Sequence, residues 1–408
     1  MKILFYNHTG QVSGAERVLM MILRGLDGGV CEPVVVCPPD SKMMELARSA
    51  NVETRSLDQL EARFTWRVDR VARYLWSFVT VIKNARDVVQ KEQPALIHAN
   101  SIRAGMVMAA ATIGLQVPVV WHAHDILPRH PLSSLVRLLA LITFRNRVLA
   151  VSQAVASGFR GIMLRPFKRR VPITVIHNAV DLDRFHPGTL LKSDMRRQLD
   201  LPPDEPVIGI VGQLTERKGQ LELVQAFASV VSELPDVRLL IVGEAVFSHD
   251  EAYARQLHDA VGSFGLTDRV RFLGARDDIP QLLQALDVLV VNSHQEPFAL
   301  TVLEGLASGT AVLATAVGGT PEMIRHDENG WLVKSGNQRE LAAGLVTLLN
   351  DPALRNRLGS AAGHDAIARY SISRFLTEVN SLYREILAEC HIPQQKNLPG
   401  FEISIPSD

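Results

Sequence analysis

The chain has 408 residues, 47% of them hydrophobic and 21% charged, a globular composition that excludes a disordered or fibrous polypeptide; at ~150 residues per domain it holds two or three domains. Its three cysteines (Cys31, Cys37, Cys390) make no C-x-x-C, and no His pair stands at ligand spacing, which argues against a disulfide framework or structural zinc and fits a reducing compartment. The zero net charge conceals two halves of opposite sign: residues 1–184 carry 24 Lys and Arg against 14 Asp and Glu, a balance of +10, and the remainder carries −10, so two domains with different partners are expected.

Met1–His8 has one lysine and an apolar run too short for a secretory signal, and reads as a first strand over Ile3–Asn7. In Asn7–Arg17 (NHTGQVSGAER), Gly10, Ser13 and Gly14 allow the backbone close to a ligand. A helix over Ala15–Leu26 offers free N–H groups to an anion, although an ordinary strand–helix turn reads the same way. A strand at Pro33–Cys37 precedes a basic stretch in which Arg63, Arg67, Arg70, Arg73, Lys83 and Arg86 alternate with Phe64, Trp66, Tyr74, Trp76 and Phe78; a helical pattern covers Val68–Gln90. This stretch and Phe159–Arg170 (FRGIMLRPFKRR) read either as solvated basic faces or as a dock for an anionic membrane surface. No nucleic-acid-binding motif accompanies the charge, so nucleic acid is not expected.

Strand Ala95–His98, helix Ile102–Ile113 and strand Val119–His122 lead into Trp121–Pro128 (WHAHDILP). His122 and His124 are two apart and share a face of an extended strand, which suits polar binding or proton transfer; a turn capped by Asp125 is the alternative. No third metal ligand stands nearby. The apolar stretch Leu132–Val148 is broken by Arg137, Arg145 and Arg147, so no transmembrane helix is expected. Strands at Val148–Ser152 and Ile173–His177 complete this half.

Pro187, Pro202, Pro203 and Pro206 punctuate Asn178–Pro206, which places a hinge near residue 185. A second series of strands then runs through Val207–Gly212, Val237–Gly243, Val270–Leu273, Val288–Asn292, Ala311–Thr315 and Trp331–Val333. Near-continuous apolar strands separated by amphipathic stretches are buried on both faces, so the two series predict two doubly wound α/β domains. Such sheets bind ligands at the carboxyl ends of their strands.

Three loops of the second half follow strands in this way. In Gly212–Gly219 (GQLTERKG), Arg217 and Lys218 stand just before a helix, where cations oppose the helix dipole and suit a bound anion such as a diphosphate. In Asn292–Glu304 (NSHQEPFALTVLE), a helix expected from near Phe298 turns the amides of Phe298, Ala299 and Leu300 toward a phosphate. Glu296 and Glu304 can only accept hydrogen bonds, which suits hydroxyl-rich ligands such as a sugar and a ribose. Phosphate held by backbone and hydroxyls held by carboxylates describe a nucleotide sugar. Val317–Glu322 (VGGTPE) is a third close-approach turn. A last helical pattern covers Ile372–Leu387, and the tail from Pro393 reads as frayed.

Together these places resemble the retaining, nucleotide-sugar-dependent glycosyltransferases of family 4, which have the GT-B fold, from about residue 1 to 388. The resemblance rests on E-x7-E at Glu296 and Glu304, K-G at Lys218–Gly219, V-G-G-T-P-E at 317–322 and N-G-W-L-V at 329–333. S-G-A-E-R at 13–17, H-D at 124–125, A-V-S at 150–152 and the segment His177–Phe185 add to it. It implies two Rossmann-like domains facing a central cleft: an acceptor domain over 1–184, a nucleotide-sugar domain over 185–371, a helix over 372–390 crossing back to the first domain, and a tail over 391–408.

The resemblance also implies roles. Glu304 would hold the ribose, Glu296 the sugar hydroxyls, and Lys218 the diphosphate, with Gly14 and the amides of Phe298, Ala299 and Leu300 as further donors; His124 would stand beside the donor sugar. Many members carry Arg where this chain has Gln213, and Arg217 is the candidate replacement. Neither a metal nor another cofactor is implied; the partners are a nucleotide sugar and a glycan or lipid-linked acceptor. An enzyme of the cytoplasm, peripheral on the inner membrane face and serving polysaccharide or lipopolysaccharide synthesis, is expected. An epimerase on the same fold and a non-catalytic nucleotide-sugar-binding protein stay open. A dehydrogenase does not fit, because no G-x-G-x-x-G follows either opening strand.

Overall fold

The computed structural model describes residues 1–26, 31–59, 68–128, 130–142, 145–160, 171–188, 192–246 and 250–390. Two units divide the chain: Met1–Asn178 together with the chain from Ser373, and Ala179–Ile372. The break after Asn178 falls ahead of the hinge expected near 185.

In the first unit, the short β-branched runs become seven parallel strands: β1 (Lys2–Tyr6), β2 (Glu32–Cys37), β3 (Glu53–Ser56), β4 (Leu96–Ala99), β5 (Val119–Ala123), β6 (Arg147–Ala150) and β7 (Ile173–Val175). Their order is β3-β2-β1-β4-β5-β6-β7, so the winding reverses between β1 and β4. Helices α1 (Gly14–Arg24), α2 (Lys42–Ser49), α3 (Val68–Glu92), α4 (Ile102–Ala111), α5 (Pro131–Ile142) and α6 (Gln153–Arg160) connect them. Ile3, Leu4 and Phe5 of β1 and Val34, Val35 and Val36 of β2 are fully buried, as strands covered on both faces must be.

Strand β3 (ETRS) was not expected. It pairs with β2 from Glu53 opposite Val34 to Ser56 opposite Cys37, and as the edge strand it has a polar sequence without a buried face to mark it. Arg55 anchors it to the buried Glu92 at 2.6 Å, and Lys2 of β1 reaches the same carboxylate at 2.9 Å.

The second unit repeats the plan with six parallel strands: β8 (Val207–Val211), β9 (Arg238–Val242), β10 (Val270–Gly274), β11 (Val288–Val291), β12 (Ala311–Thr315) and β13 (Trp331–Val333). The order β10-β9-β8-β11-β12-β13 places its reversal between β8 and β11. Helices α7 (Lys192–Gln198), α8 (Gln220–Glu233), α9 (Glu251–Ser263), α10 (Ile279–Ala285), α11 (Leu300–Ala307), α12 (Thr320–Met323), α13 (Gln338–Asn350) and α14 (Pro352–Arg369) connect them. One core joins Ile208, Leu223, Phe227, Leu239, Val290 and Leu345, all at least 99% buried.

Helix α15 (Ile372–Glu389) belongs to the first unit, where its Leu376 fills the space a Cβ on Gly25 would occupy and its Tyr383 is fully buried. Residues 60–67 and 161–170, which carry much of the basic charge noted above, and the tail 391–408 lie outside the described residues. No helix among the described residues is long and apolar enough to cross a membrane.

Candidate active site

In the second unit, the candidate residues gather where the winding reverses. Gly212 follows β8 with φ +151°, and Gly243 follows β9 with φ +131°; a Cβ on Gly243 would collide with the Gly212 carbonyl, so the two backbones lie in direct contact. The chain then makes one 3-10 turn over Glu216–Lys218 and enters α8 through Gly219 at φ +67°, a left-handed conformation that favours glycine. A Cβ on Gly219 would collide with the Asn292 carbonyl. Asn292 Nδ2 donates to the Gly219 carbonyl at 2.8 Å, and the His294 N–H donates to the Arg217 carbonyl at 2.9 Å. The loop after β8 is thereby fastened to the loop after β11.

That fastening joins two residues the sequence singled out separately. Lys218 Nζ lies 2.6 Å from Glu296 Oε2, and Ser293 Oγ donates to the same oxygen at 3.1 Å. The Lys218 side chain is 17% exposed and that of Glu296 only 7%, so a cation lies at the surface over a nearly buried carboxylate. The third loop joins them, since the Gly319 N–H donates to the Glu296 carbonyl at 2.9 Å.

The helix after β11 starts later than expected. Ala299 is extended (φ −71°, ψ 116°) and caps α11, which begins at Leu300, so Phe298 and Ala299 precede the helix and Phe298 is buried. The first intrahelical bond runs from the Leu303 N–H to the Ala299 carbonyl. The orphan amides of the first turn are therefore those of Ala299, Leu300, Thr301 and Val302, which keeps Ala299 and Leu300 of the expected set and leaves out Phe298. Glu304 falls on the second turn and is half-buried. Arg217 is exposed and donates to the Gln295 carbonyl at 3.2 Å, while Gln213 gives its carbonyl to Gln220 Nε2 at 2.8 Å.

In the first unit, Gly14 opens α1 and is exposed; Glu16 accepts from the N–H and the hydroxyl of Ser13 at 2.9 and 2.7 Å, a cap that fixes the start of this helix. His124 follows β5, and its Nε2 lies 3.1 Å from Oδ1 of Asn100, which follows β4. Asn100 Nδ2 donates to Asn7 Oδ1 at 3.0 Å, and Asn7 follows β1. The ends of three strands about the reversal are thus joined through side chains. As the two-residue spacing predicts, the His122 and His124 rings share a face, with centroids 4.0 Å apart. Beneath them, His122 Nδ1 meets His98 Nε2 at 3.1 Å, and His98 Nδ1 meets the Tyr383 hydroxyl at 2.7 Å.

Loss of hydration, complete for His98 and His122 and partial for the half-buried His124, pushes the pKa of His98 and of His124 down to about 3 and that of His122 well below its ordinary value. His8, half-buried and close to Arg103, is lowered to about 4. Among the described residues no three His, Cys, Asp or Glu side chains gather as metal ligands.

Sequence reasoning missed Asn7, Asn100, His98 and Tyr383. Asn7 and Asn100 follow strands, His98 lies within β4 and Tyr383 on α15, none with a local motif, and their partners lie 24 to 285 residues away. Only the polar residue immediately after each apolar strand was available as a signal.

Two Rossmann-like units with polar loops gathered at the carboxyl ends of their strands are the domain type of the GT-B glycosyltransferases. Residues 12–184 match the family described as Glycosyltransferase Family 4, and residues 192–365 match Glycosyl transferases group 1; the chain belongs to these glycosyltransferases. It is similar to D-inositol 3-phosphate glycosyltransferase of Corynebacterium aurimucosum, with 32% identity over 54% of this chain and 53% of that protein. It is also similar to the lipopolysaccharide core biosynthesis glycosyltransferase LpsE of Rhizobium meliloti, with 34% identity over 47% of this chain and 53% of that protein. The chain thus spans about half the length of these curated relatives. Among solved structures, Anabaena HepE in complex with UDP and glucose aligns with a TM-score of 0.79 and 28% identity, over 94% of this chain and 99% of that one.

Proposed function

We propose that the protein is a retaining glycosyltransferase that moves a sugar from a nucleoside-diphosphate sugar to a hydroxyl of a glycan or lipid-linked acceptor, in cell-surface polysaccharide or glycolipid synthesis. The observation that carries this reading is the Lys218–Glu296 pair at the β8/β11 reversal, next in the chain to the free amides of α11. A cation and orphan N–H groups suit a diphosphate, and a carboxylate suits sugar hydroxyls. HepE, solved with UDP and glucose, supports a nucleotide sugar as donor, and LpsE supports a cell-surface glycan as product.

In this reading Glu304 holds the ribose, Glu296 the sugar hydroxyls, and Lys218, Arg217 and the amides from Ala299 onward the diphosphate. By the family resemblance, the Gly14 amide assists with phosphate and His124 serves the donor sugar. The chemical demand is stabilisation of a nucleoside diphosphate leaving an oxocarbenium-like sugar, which fixed donors meet without reorganising. No side chain is assigned as nucleophile, since Glu296 is committed to hydroxyl recognition. The incoming hydroxyl attacks from the face the leaving group vacates, and the departing phosphate takes its proton. The cationic first half fits an acceptor held at the anionic inner face of a membrane.

Incubation with nucleotide sugars and candidate acceptors in EDTA, followed by NMR of the product's anomeric proton, tests this. Diphosphate release with the donor's anomeric configuration kept is expected. Inversion contradicts the mechanism, and sugar isomerisation without acceptor would assign an epimerase instead.

A further inference from the structure

We propose that Asn100 is a positioning residue that fixes His124 in the tautomer protonated at Nε2, so that His124 offers Nδ1 as a hydrogen-bond acceptor to a hydroxyl of the donor sugar and does not deliver a proton. The first part stands on the first unit alone; the second rests on the assignment of His124 to the donor sugar above.

The direction of every hydrogen bond in this chain is forced from its ends. Backbone carbonyls only accept. Asn7 Nδ2 donates to the Thr9 carbonyl at 2.7 Å, which leaves Asn7 Oδ1 as the acceptor facing Asn100. Asn100 Nδ2 donates to that oxygen at 3.0 Å and to the Ala15 carbonyl at 3.3 Å. A flipped Asn100 amide would set its own oxygen against both acceptors. Asn100 Oδ1 therefore points at His124 Nε2, and at 3.1 Å the only proton between them is on the ring nitrogen.

Neither amide can relax through solvent, because Asn7 is 0% and Asn100 1% exposed. An imidazole kept neutral by lost hydration has one N–H, and here it is committed at Nε2. Among the described residues no other group bonds the His124 ring, so Nδ1 remains a bare lone pair. Such a nitrogen takes a hydroxyl donor; it has no proton to give to a leaving oxygen.

The test is the imidazole 15N spectrum of 15N-histidine-labelled protein, with His124→Gln to assign the resonance and no ligand added. Wild type is expected to show His124 neutral and protonated at Nε2; protonation at Nδ1 overturns the proposal. Asn100→Leu, which removes the acceptor, is expected to shift the tautomer. In the transfer assay it should lower kcat about tenfold to a hundredfold, taking as the scale the loss of a partner that orients a metal-ligating histidine, with nucleoside diphosphate affinity unchanged. Asn100→Gln, which keeps both the acceptor oxygen and the donor amide, is expected to restore the Nε2–H form and part of kcat. An unchanged tautomer in Asn100→Leu overturns the positioning role, and a shifted tautomer with unchanged kcat overturns the acceptor role. If no transfer is detected in wild type, the proposed function fails while the spectrum still decides the role of Asn100. If Asn100→Leu does not fold, the wild-type and Asn100→Gln spectra decide it.

Discussion

Lys218 and Glu296 lie 78 residues apart and form a 2.6 Å ion pair in which one carboxylate oxygen also accepts from Ser293. The pair links the loops after two adjacent strands and holds a cation over a nearly buried carboxylate. Removing either partner strands the other, so Lys218→Met and Glu296→Gln should each lower stability. The double variant should lose less than the sum, with a coupling of about 0.5–3 kcal/mol in a denaturant-melt cycle. Strict additivity would show that the pair is not formed in solution.

Turnover should respond more strongly than stability to the same lysine. If Lys218 neutralises charge on the leaving diphosphate, Lys218→Ala loses about 3–4 kcal/mol of transition-state stabilisation, a fall of two to three orders of magnitude in kcat. Steady-state diphosphate release measures this, and a rate within threefold of wild type would remove Lys218 from the mechanism.

Gly219 ties this loop's geometry to its backbone. Gly219→Ala forces an alanine into φ +67°, at about 1–2 kcal/mol, and drives its Cβ into the Asn292 carbonyl. Both stability and nucleotide affinity should fall, read by melts and calorimetry. Unchanged affinity would separate the loop's shape from its binding role.

The buried histidines predict acid sensitivity with a defined sign. A histidine held neutral in the folded state, below its ordinary 6.5, takes up a proton only on unfolding as pH falls. The stability it lends is complete above 6.5 and is lost as pH falls toward the folded values of about 3 for His98 and His124 and about 4 for His8. Each such group contributes a slope of about 1.4 kcal/mol per pH unit well inside that window. Urea midpoints should drop between pH 7 and pH 5, and a flat profile would contradict the burial of these rings.

Far from the loops, Asp287 stands just before β11 and gathers Lys192 and Arg196, each at 2.6 Å, Arg355 at 3.5 Å and the Val207 N–H at 2.7 Å. The cations hold its carboxyl below the usual range despite burial, which pushes the other way. Asp287→Asn should cost about 3–5 kcal/mol by leaving three cations around a neutral amide. Because it lies at the amino ends of the strands, nucleotide affinity of the folded fraction should be unchanged.

Both sheets could be read from the sequence because their strands are buried on two faces: Val207–Val211, Val288–Val291 and Ala311–Thr315 are apolar runs that fit no amphipathic alternative. Glu53–Ser56 escaped because an edge strand needs no such pattern, being held by Val34–Cys37 and by the Arg55–Glu92 pair. At the site, Lys218, Glu296 and Glu304 announced themselves through chemistry that helix stability does not explain. The start of α11 did not, because residues after Pro297 fit an extended cap as readily as a first turn. The Asn7–Asn100–His124 chain was hidden for a different reason. It depends on the pairing of β1 with β4 and of β4 with β5, which no local spacing encodes.

Binding of a nucleoside-diphosphate sugar at the β8/β11 reversal is read by a thermal-shift panel of UDP, GDP, ADP and their common sugars in EDTA, with Glu304→Ala alongside. A rise in Tm selective for one base and lost in the variant is expected. No rise with any nucleotide, or a rise that survives Glu304→Ala, would contradict it.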